Sequence, residues 1–382
     1  RPRPRAERRL VAPVLSPAMA DGQALHAPPS RLKRRLRAAL AWLHLWLGLT
    51  VGTLFALVSL AGSVLVFHTE LLLATQPRLA SFEPVADGAV MGRLLEEWTP
   101  RGLTVLDLPR DELPVWQAYF ADGRRGYFSP KDGELLLMRS HHDDWLMWLH
   151  HWHVELLGGA IGKEVLGIAG WIAMFLLLGG LYLWWPKRGR LAEHLRWRTG
   201  PPARRWLSWH RSTGALTLPL LALATLTGLG MIYHAGFRAV IVGALGANAA
   251  PVAAEPAARS LTIDWPRVLA QAQAALGEGR LARIAPPAAD AAGISFRGQA
   301  AGEWHPVGRS VVTTSRDGRQ TLLRYDATAD APGARLSNAI YPLHVAAVGG
   351  LPMKLAMAFA GLLPAFFLVT GFLFWRRPRG RR

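Results

Sequence analysis

The sequence predicts an α-helical membrane protein, a four-span bundle built from a duplicated two-helix unit, with two small α+β domains outside the membrane. Three observations support this fold class. Four apolar stretches are long enough to cross a bilayer, their features recur in both halves of the chain, and half of the Lys and Arg residues lie in three short segments.

The duplication is clearest at histidines that frame the apolar stretches. His44 and His68 enclose the first stretch, and His210 and His234 enclose the third at the same spacing of 24 residues. Because 24 helical residues span about 36 Å, each pair should place one histidine near each face of a hydrocarbon layer roughly 30 Å thick. A second repeated element, a histidine followed by a Gly-Gly pair, begins at His153 and at His344.

The charge distribution predicts the topology. Residues 1–37, 187–205 and 376–382 hold 22 of the 44 Lys and Arg residues and three acidic residues, against a formal net charge of +18 for the whole chain. This is the positive-inside pattern of a multi-pass membrane protein with both termini and one middle loop in the cytoplasm. It removes the argument for nucleic-acid binding, which needs basic charge on a soluble surface. The lack of cysteine excludes disulfides and thiolate metal sites.

The first half of the chain is predicted in five segments. Residues 1–37, rich in Arg and Pro, are expected to form a disordered cytoplasmic tail, and residues 38–68 the first span. Residues 69–160 contain short alternating runs separated by Asp-Gly turn signals, which predict the first outer domain. The second span, residues 161–186, ends in tryptophans followed by basic residues, and residues 187–205 form a cytoplasmic loop.

The second half follows the same order. Residues 206–234 form the third span, in which Pro219 is expected to bend the helix. Residues 235–350, with one amphipathic helical segment and several strand-like runs, form the second outer domain. The fourth span covers residues 351–375, and the basic segment 376–382 is a cytoplasmic tail.

Six of the thirteen histidines occupy duplicated positions at or near the predicted membrane faces. Ionisable side chains are costly at membrane depth, so a functional role is the first hypothesis for them. Duplicated histidines can face each other across a pseudo-two-fold axis, which is the geometry that holds a haem between helices. Since the chain has no C-x-x-C-H motif, the sequence predicts two non-covalent b-type haems, one near each face. The alternative for each histidine is an interfacial side chain or a polar helix end.

The expected axial ligands are His44 with His210 at the cytoplasmic face and His153 with His344 at the outer face, ahead of His68 with His234. Both ends of one span face the bundle interior only if the helices supercoil. The neighbouring glycines, among them Gly48, Gly52, Gly62, Gly214 and Gly228, would make room for a porphyrin, or they are ordinary small residues of packed membrane helices.

Two further groups of residues are candidates for binding. Arg211, next to His210, is a candidate partner for a haem propionate, or one more cation of the inner face. The run His141, His142, Asp143 and Asp144 has the imidazole and carboxylate donors that suit a divalent transition metal, although a solvated loop explains it as well. No nucleotide-binding motif is present, so electrons are expected from a quinol or a separate protein.

These features together carry a family resemblance. The four spans, the H-x-x-x-G sequences at His44 and His210, the Gly-Gly elements after His153 and His344 and the Trp- and Arg-rich span ends resemble the PepSY-associated transmembrane family of iron-regulated inner-membrane proteins. The resemblance covers nearly the whole chain from about residue 33. By motif, these four histidines match the family's recurrent histidines, and His68 and His234 match them less closely.

The resemblance implies PepSY-like periplasmic domains, contact with membrane lipids and two haems that deliver electrons to a ferric siderophore of the ferrioxamine-like hydroxamate type during iron uptake. Oxygen ligands hold Fe²⁺ less tightly than Fe³⁺, so one electron releases the metal. Two other functions stay open. One is a quinol-linked cytochrome b that serves another periplasmic acceptor, and the other is a non-redox siderophore permease or sensor.

Overall fold

The computed structural model describes residues 31–186, 189–249, 251–257, 260 and 262–376. Most of the two predicted tails and residues 187–188 of the predicted loop lie outside the described residues. Residues 31–37 were predicted to be part of the disordered tail, but they form the first turns of a helix.

Within the described residues, helices and strands follow one another in two similar series. The helices are α1 (Arg31–Leu49), α2 (Val51–Leu65), α3 (His68–Thr75), α4 (Gly88–Trp98), α5 (Trp145–Glu155), α6 (Gly159–Trp184), α7 (Leu191–His194), α8 (Pro202–Ile232), α9 (His234–Leu245), α10 (Trp265–Leu276), α11 (Pro332–His344) and α12 (Gly350–Trp375). The strands are β1 (Leu103–Asp107), β2 (Trp116–Phe120), β3 (Arg125–Phe128), β4 (Leu135–Arg139), β5 (Arg280–Ile284), β6 (Gly293–Gln299), β7 (Ser310–Ser315) and β8 (Thr321–Tyr325).

Three helices, α6, α8 and α12, are long and apolar enough to cross a membrane, and α1 with α2 makes a fourth if the two form one broken span. Large apolar side chains point outward from these helices; Leu178 and Val369 are 58% and 55% exposed. Such faces suit contact with lipid and are unusual on a soluble protein. The structure therefore has the apolar helices of a membrane protein.

The first predicted span is not one continuous helix. It bends by 49° at the break between α1 and α2, and α2 ends at Leu65. The break falls at Thr50, whose amide and hydroxyl both donate to Trp46 O, at 3.0 and 2.8 Å. His68 was predicted at the end of this span, but it begins the separate helix α3.

Small residues let the spanning helices approach closely. α2 packs against α12, α6 against α8, and α8 against α12. At the α2–α12 contact, a methyl group added to Gly361 would lie 2.2 Å from Ser63 Oγ, and that hydroxyl donates to Ala358 O at 2.8 Å. Close backbone approach and interhelical hydrogen bonds are how helices associate in lipid.

The two predicted outer domains are one body. All eight strands form a single antiparallel sheet in the order β4-β3-β2-β1-β5-β6-β7-β8, because the edges of the two four-stranded halves pair through β1 and β5. Each half has a helix that begins at an aspartate cap, Asp87 for α4 and Asp264 for α10. A methyl group on Gly92 of α4 would lie 2.2 Å from the Trp265 ring of α10, so the two helices touch and share one core on one face of the sheet.

Candidate functional site

Two pairs of histidines face each other across the pseudo-symmetric bundle. The sheet-side pair joins His153, near the end of α5, to His344, the last residue of α11. Its ring centroids are 6.2 Å apart and its ring planes meet at 31°. The distal pair joins His44 of α1 to His210 of α8, with centroids also 6.2 Å apart and planes at 79°. Each pair takes one histidine from each half of the chain.

The Nδ1 atoms of the sheet-side pair are hydrogen-bonded to the spanning helices. His153 Nδ1 lies 2.9 Å from Val58 O and therefore donates to it. His344 Nδ1 lies 3.0 Å from Thr227 Oγ1, and that hydroxyl lies 2.7 Å from Leu223 O, to which it donates. Because the threonine proton is used in this way, His344 Nδ1 must be the donor of the other bond. Both Nε2 atoms are then free of hydrogen, which is the form in which imidazole binds a metal.

The same arrangement holds one member of the distal pair. His210 Nδ1 lies 3.1 Å from Thr370 Oγ1, whose hydroxyl donates to Phe366 O at 2.8 Å. His210 Nε2 is thus also left unprotonated. His44 differs, since its Nδ1 is buried with no hydrogen-bond partner among the described residues.

Each of the four rings lies against a glycine of a neighbouring helix. A methyl group added to the glycine would lie close to the ring's Cε1 atom: 2.9 Å for Gly62 and His153, 3.1 Å for Gly180 and His44, 3.2 Å for Gly228 and His344, and 3.7 Å for Gly371 and His210. Gly62 and Gly228 occupy equivalent positions in the two halves of the sequence, and so do Gly180 and Gly371. Gly62 and Gly228, which were predicted to make room for a porphyrin, lie directly against the histidine rings.

A cavity of about 690 Å³ adjoins the distal pair. Its walls are mainly apolar and include Gly48, Gly52 and Gly214, around which no atom of another residue lies closer than 3.6 Å to an added methyl group. Arg211, predicted as a propionate partner, lines this cavity together with Arg37. Arg37 donates to Leu183 O of α6 at 2.5 Å, and this hydrogen bond holds the Arg37 side chain against α6.

The paired imidazoles fit a b-type haem at both levels. A metal–imidazole bond is about 2 Å long and the ring centroid lies about 1 Å beyond the nitrogen, so two imidazoles on opposite sides of one metal have centroids roughly 6 Å apart. Both pairs have this separation. In three of the rings Nδ1 has the hydrogen bond that is typical of metal-bound histidine, and in the fourth, His44, the buried Nδ1 has no partner among the described residues. At the distal level, the cavity supplies apolar walls and two cations suited to carboxylates.

The alternative outer pair, His68 and His234, is not brought together in this way. His68 Nε2 is buried without a partner among the described residues, and its charged neighbours are Arg125, Arg139, Asp144 and Glu70. His234 is exposed at the start of α9. Between the two candidate outer pairs, the geometry favours His153 with His344.

The run from His141 to Asp144 does not form a shared ligand set. Asp144 caps α5 and binds the Arg139 guanidinium at 2.7 Å, and both interactions hold the pKa of its carboxyl below the ordinary value. Asp143 accepts from the Ser140 amide at 2.8 Å. The His141 ring lies against the His142 ring, with centroids 3.9 Å apart and planes tilted by 40°. In the part of the chain that the structure describes, no group of three or more His, Cys, Asp or Glu side chains could hold a metal ion.

Four residues of the site were missed by the sequence interpretation. Thr227 and Thr370, which orient two imidazoles, are polar residues only 6% and 1% exposed inside otherwise apolar spans, and that placement was an available signal. Arg37 was assigned to the tail because it lies in a run of cations. Val58 acts through its backbone carbonyl, for which a sequence carries no signal.

The sequence profile of the family described as the PepSY-associated TM region matches residues 41–377. The match spans both pairs of histidines, the sheet and every apolar helix except the first turns of α1. No curated protein matches the chain.

Proposed function

The chain belongs to the PepSY-associated TM family, and on that premise we propose that it is a haem-dependent ferric-siderophore reductase of the bacterial inner membrane. In this proposal both termini are cytoplasmic, the sheet is periplasmic, and lipid surrounds the spanning helices. The distal pair then lies near the cytoplasmic face and the sheet-side pair near the periplasmic face. The observation that carries the proposal is the presence of two imidazole pairs, each at the separation expected for one haem.

The histidine pairs lie at different levels of the bundle. Gly62, which supports His153, follows His44 by 18 residues, or up to about 27 Å of helix. A single cofactor cannot bridge both pairs, so the arrangement suits two. A haem held between two imidazoles supplies one-electron chemistry, with a potential set by its ligands and burial.

The protein's own residues have separate roles in this proposal. His44, His210, His153 and His344 supply the axial nitrogens. Thr227, Thr370 and the Val58 carbonyl hold the imidazole protons on Nδ1, which keeps Nε2 available as a ligand. Arg37 and Arg211 provide charge for propionates at the distal level.

The reaction balances as a one-electron transfer. The Fe³⁺ of the siderophore gains one electron and becomes Fe²⁺, which its oxygen ligands bind less tightly. A quinol donor would supply two electrons and release two protons, so it would serve two ferric acceptors; a separate redox protein could deliver them singly. Ferrioxamine-like hydroxamates, suggested by the sequence resemblance, are the first acceptors to test.

The test is anaerobic re-oxidation of the dithionite-reduced, haem-loaded protein. Addition of a ferric siderophore is expected to return the visible spectrum to the oxidised form, with an equal amount of Fe²⁺ appearing in a ferrozine trap. Metal-free siderophore is the control. Reduced protein that ignores every ferric siderophore but reduces another periplasmic acceptor would instead identify a quinol-linked cytochrome b, and a preparation without haem would favour a permease or sensor.

A further inference from the structure

The internal duplication is broken at one place in the sheet. β2 and β3 are joined by residues 121–124, whereas the equivalent strands β6 and β7 are joined by residues 300–309. The longer loop folds back against β6: Gly308 has φ +64°, and a methyl group there would lie 1.7 Å from Gly298 O. His305 of this loop is buried, and its ring stacks on Tyr341 of α11 at 5.0 Å. Tyr341 lies one turn before His344, so the loop contacts α11 close to the sheet-side pair.

A row of polar residues crosses the sheet above this point. Across β2, β1, β5 and β6 the register places Gln117 opposite Asp107, Asp107 opposite Arg283, and Arg283 opposite Arg297. Asp107 is fully engaged, since it accepts from Arg283 at 2.5 and 2.9 Å and from the Tyr119 hydroxyl at 3.2 Å. Arg297 therefore faces a like charge on the neighbouring strand, a cross-strand arrangement that is destabilising unless an anion balances it.

The 300–309 loop adds a further cation without adding a free acid. Glu303 is the loop's carboxylate, and it accepts from the amides of Ala300, Arg309 and Ser310 and from the Ser310 hydroxyl. Arg309 Nε is buried and has no hydrogen-bond partner among the described residues. Arg297 donates to Gly308 O at 2.5 Å through one nitrogen. Both guanidiniums thus have donors to spare.

The electrostatics of the cluster agree with this geometry. Burial, with Arg309 and Arg283 adding to it, lowers the pKa of Arg297 to about 10. Burial and the same group of arginines lower the pKa of His305 to about 3, so this histidine is neutral. Its Nδ1 accepts from the Val307 amide at 3.3 Å, which agrees with the neutral form.

Solvent reaches the residues of the cluster. Tyr341 is 37% exposed, and Arg125 and Arg283 of the sheet lie near it. Arg283 keeps 24% of its side chain exposed, and Arg297 and Arg309 are only partly buried. A small polar molecule can therefore approach these guanidiniums from solvent, on the face of the sheet beside Tyr341 of α11.

We propose that this arginine cluster, on the face of the sheet beside α11, binds the acceptor as an anionic ferric chelate with carboxylate or catecholate donors, through Arg297 and Arg309. Planar guanidiniums pair with such oxygen anions in bidentate fashion. A ferric tris-hydroxamate is neutral and gains little from them. The inference rests on the proposed reduction of a ferric siderophore, and it favours an anionic chelate over the ferrioxamine-like hydroxamate that the sequence resemblance suggests. Reduction of the chelated Fe³⁺ to Fe²⁺ takes one electron and consumes no proton, and a haem held by His153 and His344 would supply that electron.

Binding is tested with redox-inert gallium(III) complexes, on the full chain in detergent with haem bound. The probes are gallium(III) citrate and gallium(III) tris(catecholate), which are anionic, and gallium(III) tris(acetohydroxamate), which is neutral. We expect only the anionic complexes to bind, with affinity falling as salt is raised. Arg297→Gln and Arg309→Gln should each weaken this binding at least tenfold. Arg319→Gln, in the exposed β7–β8 turn of the same half, should leave it unchanged.

Three results would overturn the inference: no binding of either anionic probe, equal binding of the neutral probe, or equal weakening by Arg319→Gln. Loss of haem from Arg297→Gln or Arg309→Gln would also contradict it, because the cluster would then hold a haem propionate. If the Gln variants do not fold, Arg297→Lys and Arg309→Lys should retain binding, and the wild-type salt dependence still decides. Failure of the proposed function can be told apart from failure of this inference. The proposed function fails only if no ferric chelate, anionic or neutral, re-oxidises the reduced protein.

Discussion

Substituting Gly62 by alanine tests whether the glycines position the imidazoles. The added methyl group would lie 2.9 Å from His153 Cε1, whereas carbon atoms in favourable contact are about 3.5 Å apart. The ring must therefore move by roughly 0.6 Å, and the movement disturbs the 2.9 Å contact of its Nδ1 with Val58 O. Overpacking of this kind costs about 1–3 kcal/mol, which corresponds to roughly 5- to 150-fold in haem affinity if the loss falls on the bound state.

Gly371→Ala is the matched control, because its methyl group would lie 3.7 Å from His210 Cε1, an ordinary contact. Both substitutions favour helix formation by about 1 kcal/mol in soluble helices, so helix destabilisation does not explain a difference between them. Haem is titrated into haem-free protein and followed by tryptophan quenching, and the haem-to-protein ratio is measured after purification. Gly180→Ala and Gly228→Ala, at 3.1 and 3.2 Å, should fall between the two. An equal loss of haem affinity in Gly62→Ala and Gly371→Ala, each measured against wild type at the affected site, would refute the reasoning.

Two further predictions follow from the same structure. Thr227→Val removes the acceptor of the His344 Nδ1 proton and should weaken haem binding at the sheet-side pair about 10- to 100-fold, the usual effect of losing the hydrogen-bond partner of a metal-binding histidine. Thr227→Ser keeps the hydroxyl and should retain haem binding. Equal effects of the two substitutions would contradict the hydrogen-bond role. Cysteines placed at the exposed turn residues Asp122 and Arg319 in this cysteine-free chain should react with an impermeant maleimide in intact spheroplasts, and labelling only after lysis would overturn the proposed topology.

Internal repetition made much of the candidate site predictable. A histidine that recurs at an equivalent place in each half can meet its counterpart across a two-fold axis, so the pairs His44 with His210 and His153 with His344 could be proposed without coordinates. The structure brings these rings together, and their function as haem ligands stays a prediction. Their hydrogen-bond partners are not duplicated: one is a carbonyl and two are threonines in unrelated positions, so repetition gave no signal for them.

Other features depend on contacts that a single strand or helix does not encode. The sequence predicted two outer domains because each half has its own helix and strands, but the pairing of β1 with β5 joins them into one sheet. The first span was predicted as one helix because it is apolar throughout, yet it breaks at Thr50. A supercoil was expected because His44 and His68 were assigned to one continuous helix. Since they lie on separate helices, no supercoil is required for both to face inward. The polar row across the sheet depends on the register of β5 with β6 and on the pairing of Asp107 with Arg283 between the halves, so it emerged only from the structure.

The most direct test of two haems held by two histidine pairs is the haem content of single-histidine variants. Protein expressed with ample haem is reduced with dithionite, and its haem is measured as the pyridine haemochrome. Wild type is expected to contain two haems per chain, and His210→Phe and His344→Phe one each, because the pairs share no ligand. Wild-type protein without haem, or single variants that keep both haems, would contradict this assignment.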